Sequence, residues 1–305
     1  MTRIEITFLG TTAGIPTKLR NHTALYLRYQ SENEFCYLFD CGEGTQRQIF
    51  YSGLNFMRIN EIFITHWHAD HFAGLLGLLE TMSLENRKEP LTIFGPEAEK
   101  FVDIILELGY STKNFDVIPK NVNFEGSEIE KLLETNEFYI ASIPVRHSIP
   151  AVGYAFIEKD RIKIDKDKIK KFDLPPKSII YKKIKETGEV IFKGKRIRLE
   201  DISIIEKGKK VVYSGDTMVC RNIIKLSKDA DLLIHDSTFF KEDIFDNTYK
   251  HTTFEDVIKI AKEANVKNII LTHISRRYQN FEELKEKIKD YSNVRIAKDF
   301  MKVIV

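Results

Sequence analysis

Residues 65–74 read THWHADHFAG, which places His66, His68, Asp70 and His71 within six positions. The residues just before them, EIFIT (61–65), form a short apolar run that predicts a buried strand. In an extended segment alternate side chains point the same way, so His66 and His68 can reach one cation. Asp70 and His71 follow where HFAGLLGLLETMSL takes on helical length, and they can aim at a second position. A lone histidine is more often structural than a ligand. Four donor side chains at a strand end make a metal-binding cluster.

Four donors do not complete a two-metal site, because a catalytic zinc takes about three protein ligands plus an open position. Three more candidates stand at ends of predicted strands: His147 after FYIASIPVRH, Asp216 after KVVYSGD, and His273 after NIILTH. Alternating strands and helices before and after the middle of the chain predict a layered α/β fold. Ligands at strand carboxyl ends suit such a fold.

The 305 residues are 43% hydrophobic and 30% charged with formal net charge +2, an ordinary globular composition. Cys36, Cys41 and Cys220 show no paired spacing, so a disulfide framework is not expected and a reducing compartment is. The opening MTRIEITFLG reads as a strand and not as a signal peptide. No uncharged run approaches the roughly 18–20 residues of a membrane span, so a cytoplasmic protein with no membrane contact is expected. Residues 158–200 break the strand–helix rhythm. They hold 15 Lys/Arg against 8 Asp/Glu, a net charge of +7, which leaves −5 for the rest.

The ordered set HWHADH…H…D…H resembles the metallo-β-lactamase superfamily, whose fold is a four-layer αβ/βα sandwich. The resemblance implies two Zn²⁺ per subunit, with Mn²⁺ as a substitute. One would lie on His66, His68 and His147, the other on Asp70, His71 and His273, with Asp216 between them. Such a pair lowers the pKa of a bound water and neutralises charge on a phosphoryl or carbonyl oxygen.

Further stretches resemble the RNase Z family of tRNA 3′-processing endoribonucleases in its short form. GIPTKLRN (14–21) matches the family's Pro-x-Lys-x-Arg-Asn loop through Pro16, Lys18, Arg20 and Asn21, which are candidate substrate contacts, since two cations and an amide can hold phosphates or the acceptor end of an RNA. HTTFED (251–256) resembles its His-Ser-Thr segment, which implies His251 as general acid. LLIHDSTF (232–239) stands where the family has His-Glu-Ala-Thr, so Asp236 replaces the glutamate that orients the catalytic histidine. Asp is one methylene shorter, which requires a closer backbone or leaves a looser relay. HISRRY (273–278), with Arg277 as a candidate substrate contact, and AKDF (297–300) match segments near the family's C-terminus.

DLPPKSIIYKKIKETGE (173–189) is similar to the family's flexible tRNA-gripping arm, with Lys177, Lys182, Lys183 and Lys185 as candidate contacts. A basic projection on an acidic body concentrates attraction for RNA phosphates there. The expected organisation is one metallo-β-lactamase-fold domain over 1–305, carrying an inserted basic arm at 158–200. The resemblance implies a homodimer acting on precursor tRNA, cut after the discriminator nucleotide to leave a tRNA 3′-OH and a trailer 5′-phosphate. Asp70 would bind metal and also orient the nucleophile. The alternatives are a related hydrolase of a small phosphodiester or thioester, and a non-catalytic RNA-binding member of the fold.

Overall fold

The computed structural model describes residues 2–108, 114–175, 178–240, 250–278 and 280–305. These divide into two compact units. The larger comprises Met1–Glu134, Tyr139–Phe156 and Lys210–Val305, and the smaller Thr135–Phe138 and Ile157–Lys209.

The larger unit is built on two seven-stranded sheets. The first runs, in spatial order, 302–304, 3–10, 24–30, 34–39, 59–63, 91–95 and 117–121. Its members up to 34–39 pair antiparallel, and those from 34–39 onward pair parallel. The second runs 294–296, 268–272, 232–236, 210–213, 152–158, 138–144 and 130–134, with parallel pairing among 210–213, 232–236, 268–272 and 294–296.

Aromatic side chains join the inner faces of the two sheets. Phe39 packs 5.8 Å from Tyr154, Phe63 5.4 Å from Tyr154, and Tyr29 5.4 Å from Phe156. On the outer face of the first sheet, Ile49, Leu75, Leu78, Leu79, Met82 and Val102 pack from three helices onto Leu38, Ile62 and Ile93. Buried Ile223, Val257, Ile260 and Leu284 come from helices beside the second sheet. The result is helix, sheet, sheet, helix.

The helix expected over 71–84 is two helices, Ala69–Phe72 and Leu75–Leu84. The break has a packing cause at Gly74, where an added Cβ would stand 2.2 Å from the Gly42 carbonyl oxygen. Its amide also donates to the Cys41 carbonyl. This close approach holds the histidine-bearing turn against the segment after strand 34–39.

The smaller unit has its own apolar core of Ile169, Leu174, Ile184, Ile197 and Ile202. Strands 161–164 and 203–206 pair antiparallel at its base, and 189–192 pairs with 195–198. The helix Ile180–Thr187 buries Ile184 and leaves Lys182, Lys183 and Lys185 exposed. Lys177 lies outside the described residues.

Candidate metal centre and general acid

His66 and His68 lie on the segment after strand 59–63, and His147 follows strand 138–144. His66 Nε2 and His147 Nε2 stand 3.0 and 3.1 Å from His68 Nδ1. Donors bound at about 2.0–2.1 Å to one tetrahedral zinc are roughly 3.3 Å apart. Imidazole lone pairs facing one another at this range repel unless a cation or a proton lies between them.

Asp70, His71 and His273 form a second group. His273 Nε2 is 3.3 Å from both His71 Nε2 and Asp70 Oδ2. Asp216 Oδ2 sits 3.3 Å from the Nε2 of both His71 and His273, and 3.7 Å from His66 Nε2. Its other oxygen, Oδ1, is buried with no protein hydrogen-bond partner. A buried carboxylate oxygen without a partner is costly, and on a carboxylate whose other oxygen sits among converging imidazoles a cation accounts for it. The residues present fit metal binding.

The outer nitrogens are already committed. His71 Nδ1 donates to Asp40 Oδ2 at 2.7 Å, His66 Nδ1 lies 3.0 Å from Thr65 Oγ1, and His273 Nδ1 lies 2.9 Å from Thr238 Oγ1. Asp40 also accepts from Thr65 N, Thr65 Oγ1 and Tyr213 OH. Such partners set the tautomer and the ring direction, turning Nε2 toward the centre. Asp40 and His273 both take positive φ, 56° and 55°, a conformation that non-glycine residues adopt at a cost.

Charge tells the same story. Burial alone would depress His71 and His273, but Asp216 and the neighbouring carboxylates outweigh it, raising His71 well above its ordinary range and His273 to about 10. Asp216, itself penalised by burial, is nonetheless held low by His273 and His71. The pocket demands positive charge, which a metal supplies while leaving its imidazoles neutral.

His251 lies beside this centre, its ring 5.4 Å from His147 and 5.1 Å from His273. Its Nδ1 donates to Asp236 Oδ2 at 2.8 Å. Burial opposes the charged ring, and Asp236 more than compensates, so His251 is raised. Asp236 falls within reach of a metal-ligand grouping with Asp216, His251 and His273, but its oxygens are saturated by protein donors. Oδ1 receives Thr238 N and Thr238 Oγ1, and Oδ2 receives His251. It is an acceptor for His251 and Thr238. The Asp that replaces the expected Glu therefore closes its contact at full hydrogen-bond strength.

Residues 4–200 match the family model described as anti-Pycsar protein Apyc1, and residues 197–274 match a β-lactamase superfamily domain. Ribonuclease Z of Archaeoglobus fulgidus is 38% identical over 309 residues, covering 99% of this chain and 97% of that protein. Ribonuclease Z of Bacillus subtilis is 39% identical, covering 99% of both. The crystal structure of human tRNase Z, short form, superposes with TM-score 0.70 at 29% identity, covering 98% of each chain. The chain belongs to the ribonuclease Z family. Its fold is the metallo-β-lactamase fold of that family.

The loop at 14–21 begins against the centre, where Gly14 N donates to Asp70 Oδ2 at 2.9 Å. Pro16 and Lys18 are exposed, whereas Arg20 and Asn21 turn partly inward. A cleft of about 940 Å³ is lined by Pro16, Lys18, Arg20, Arg276, Phe281 and Lys298, among others. Arg277 is not among its lining residues; its guanidinium lies 5.0 Å over the Phe239 ring, which neighbours His251.

Asp40, Thr65, Tyr213 and Thr238 were not anticipated as site residues. Asp40 carried a signal, since it ends the strand FCYLFD much as Asp216 follows KVVYSG. Thr238 lay in view within HDST without a role.

Proposed function

We propose that this ribonuclease Z, a hydrolase and tRNA 3′-processing endoribonuclease by family, cuts precursor tRNA after the discriminator nucleotide. The products are a tRNA 3′-OH and a trailer with a 5′-phosphate. The observation that carries the reading is the His251–Asp236 pair set beside two converging groups of metal donors, in a chain that aligns end to end with ribonucleases Z.

His66, His68 and His147 would hold one Zn²⁺, and Asp70, His71 and His273 the other, with Asp216 shared and Mn²⁺ able to substitute. When bound, the metals activate a water near neutral pH and neutralise charge on the phosphoryl oxygens. Asp70, fixed by Gly14 N, orients the attacking water. His251 gives its proton to the departing 3′ oxygen; with Nδ1 committed to Asp236, Nε2 is the nitrogen that donates. Asp236 keeps that tautomer and supports the charged ring.

The basic unit at 157–209 is proposed as the arm that grips tRNA away from the centre. Its exposed Lys182, Lys183 and Lys185, with Lys177, suit contact to an RNA backbone. We place the enzyme in the cytoplasm as a homodimer in which one subunit's arm presents tRNA to the other's centre. Its unpaired cysteines suit a reducing compartment, and no described helix is long and apolar enough to cross a membrane.

The test is cleavage of a precursor tRNA carrying a 3′ trailer, using chelator-stripped protein with and without Zn²⁺ or Mn²⁺, with the ends mapped. A metal-dependent cut after the discriminator supports the reading. Turnover of a small diester or thioester without any tRNA cut would replace it with the related-hydrolase alternative.

A further inference from the structure

The loop at 14–21 carries two cations, Lys18 and Arg20, that look interchangeable in the sequence. Their surroundings differ. Arg20 Nη1 donates to the Thr11 hydroxyl at 2.6 Å and to the Ala297 carbonyl at 2.7 Å. Asn21 N donates to Asp299 Oδ2 at 2.7 Å, and Asn21 Nδ2 donates to the Glu43 carbonyl at 2.8 Å. Asp299 further accepts from Thr11 Oγ1 at 2.7 Å and Gln48 Nε2 at 3.1 Å. Arg20 and Asn21 are thus tied to Thr11, just after strand 3–10, to the segment 297–299 and to Glu43, just before helix 45–51. Burial raises the Asp299 carboxyl to about 6, against these donors, as expected of a group held inside.

Lys18 is different. It is exposed, with no hydrogen bond or ion pair among the described residues, and so is Arg276 across the same cleft. Lys298 is exposed too, and its ammonium rests 3.6 Å over the Phe281 ring. These cations therefore face solvent along one cleft, and the loop that carries Lys18 binds Asp70 through Gly14 N.

We infer that the loop divides its work. Lys18, Arg276 and Lys298 contact RNA phosphates, whereas Arg20, Asn21 and Asp299 act as positioning residues that lock the loop. The inference rests on the ribonuclease Z reading, because it takes single-stranded RNA next to the scissile phosphate as the occupant of the cleft.

Salt dependence separates the two roles. A cation bound to a phosphate releases counterions, so losing it flattens the slope of log affinity against log salt by about 0.7–1. A strut changes affinity without changing the number of phosphates contacted. The experiment measures binding of a trailer-bearing precursor tRNA from 50 to 300 mM KCl (roughly the range over which such slopes are resolved), using full-length, metal-loaded protein. Thermal melting of each variant establishes that it is folded.

Lys18→Ala, Arg276→Ala and Lys298→Ala are each expected to flatten the slope. Arg20→Ala and Asp299→Asn are expected to weaken binding about tenfold or more through a misplaced loop, with the parent slope retained. Arg20→Lys, which keeps the charge but replaces the planar guanidinium with a compact, strongly hydrated ammonium, is expected to behave like Arg20→Ala. A flattened slope in Arg20→Ala that Arg20→Lys restores would overturn the division alone. A parent protein whose tRNA binding does not respond to salt would overturn the RNA reading and the division with it.

Discussion

His251 and Asp236 are joined through Nδ1 and Oδ2 at 2.8 Å, and the other oxygen of the same carboxylate receives the Thr238 hydroxyl that stands 2.9 Å from His273 Nδ1. One carboxylate thus supports both the proposed general acid and a proposed metal-binding imidazole. His251→Ala removes only the acid, so metal content should be kept while precursor-tRNA turnover falls by roughly 10²–10⁴. Metal analysis beside single-turnover cleavage checks this. Lost metal, or unchanged turnover, would show that His251 has another role.

Substituting Thr238 separates the two supports. Thr238→Val removes the hydroxyl but leaves the His251–Asp236 bond, so it should lower metal affinity roughly 10–100-fold, as loss of a hydrogen-bond partner behind a ligand does. Thr238→Ser should restore it. Chelator competition provides the measurement, and equal affinity in Thr238→Val and the parent would mean that His273 does not need this partner.

Asp216 has two close imidazole contacts through Oδ2 and an orphaned Oδ1, so it is the residue whose loss should affect both metal positions. Asp216→Ala is expected to lose metal and cleavage together, and His66→Ala to lose the metal of the first group. Metal-to-protein stoichiometry after dialysis decides it. Full loading of Asp216→Ala would contradict a shared ligand.

Much of this centre was readable because each donor sits just past an apolar strand, where the alternation of burial ends and a polar side chain stands out. His147, Asp216 and His273 come from three separate strand ends, and parallel pairing in the second sheet brings the latter two to one edge. What the pattern could not show is direction. Arg20 and Lys18 are two residues apart and chemically alike, yet one is tied to Thr11 and Ala297 and the other faces solvent. Asp40 and Thr238 act through hydrogen bonds to other residues' rings, contacts between segments that follow different strands, which periodicity does not register. The break at Gly74 likewise depends on the backbone of Gly42, which is distant in sequence.

The core of the smaller unit sets how the proposed arm should be removed. Its core draws on Ile197 and Ile202 as well as Ile169, Leu174 and Ile184, so a cut that leaves 193–202 behind would expose apolar surface. Ile164 and Ser203 are paired in antiparallel register, and a two-residue Asn-Gly turn can join them. Replacing 165–202 in this way should weaken precursor-tRNA binding severely and leave turnover of bis(p-nitrophenyl) phosphate intact. Equal loss of both activities would make the segment part of the catalytic fold.

Glu61, in strand 59–63, predicts a pH signature that does not involve the metal centre. Its Oε2 is buried without a hydrogen-bond partner, and burial pushes its pKa up to about 7, with Arg87 opposing. An unfolded glutamate titrates near 4.3. Between that pH and about 7 the unfolded chain gives up a proton that the folded chain keeps, so the folded state loses stability as pH rises. The contribution is fully present below the unfolded value and gone above the folded one. Glu61→Gln fixes the neutral form, so at pH 8 the variant should be more stable than the parent by about 1–3 kcal/mol. Near pH 3.5, below the unfolded value of about 4.3, the gain should vanish, because Glu61 is then largely uncharged in both the folded and the unfolded parent. Urea unfolding at the two pH values measures the difference. The same stabilisation at both would trace the effect to packing at Glu61 and rule out its charge as the cause.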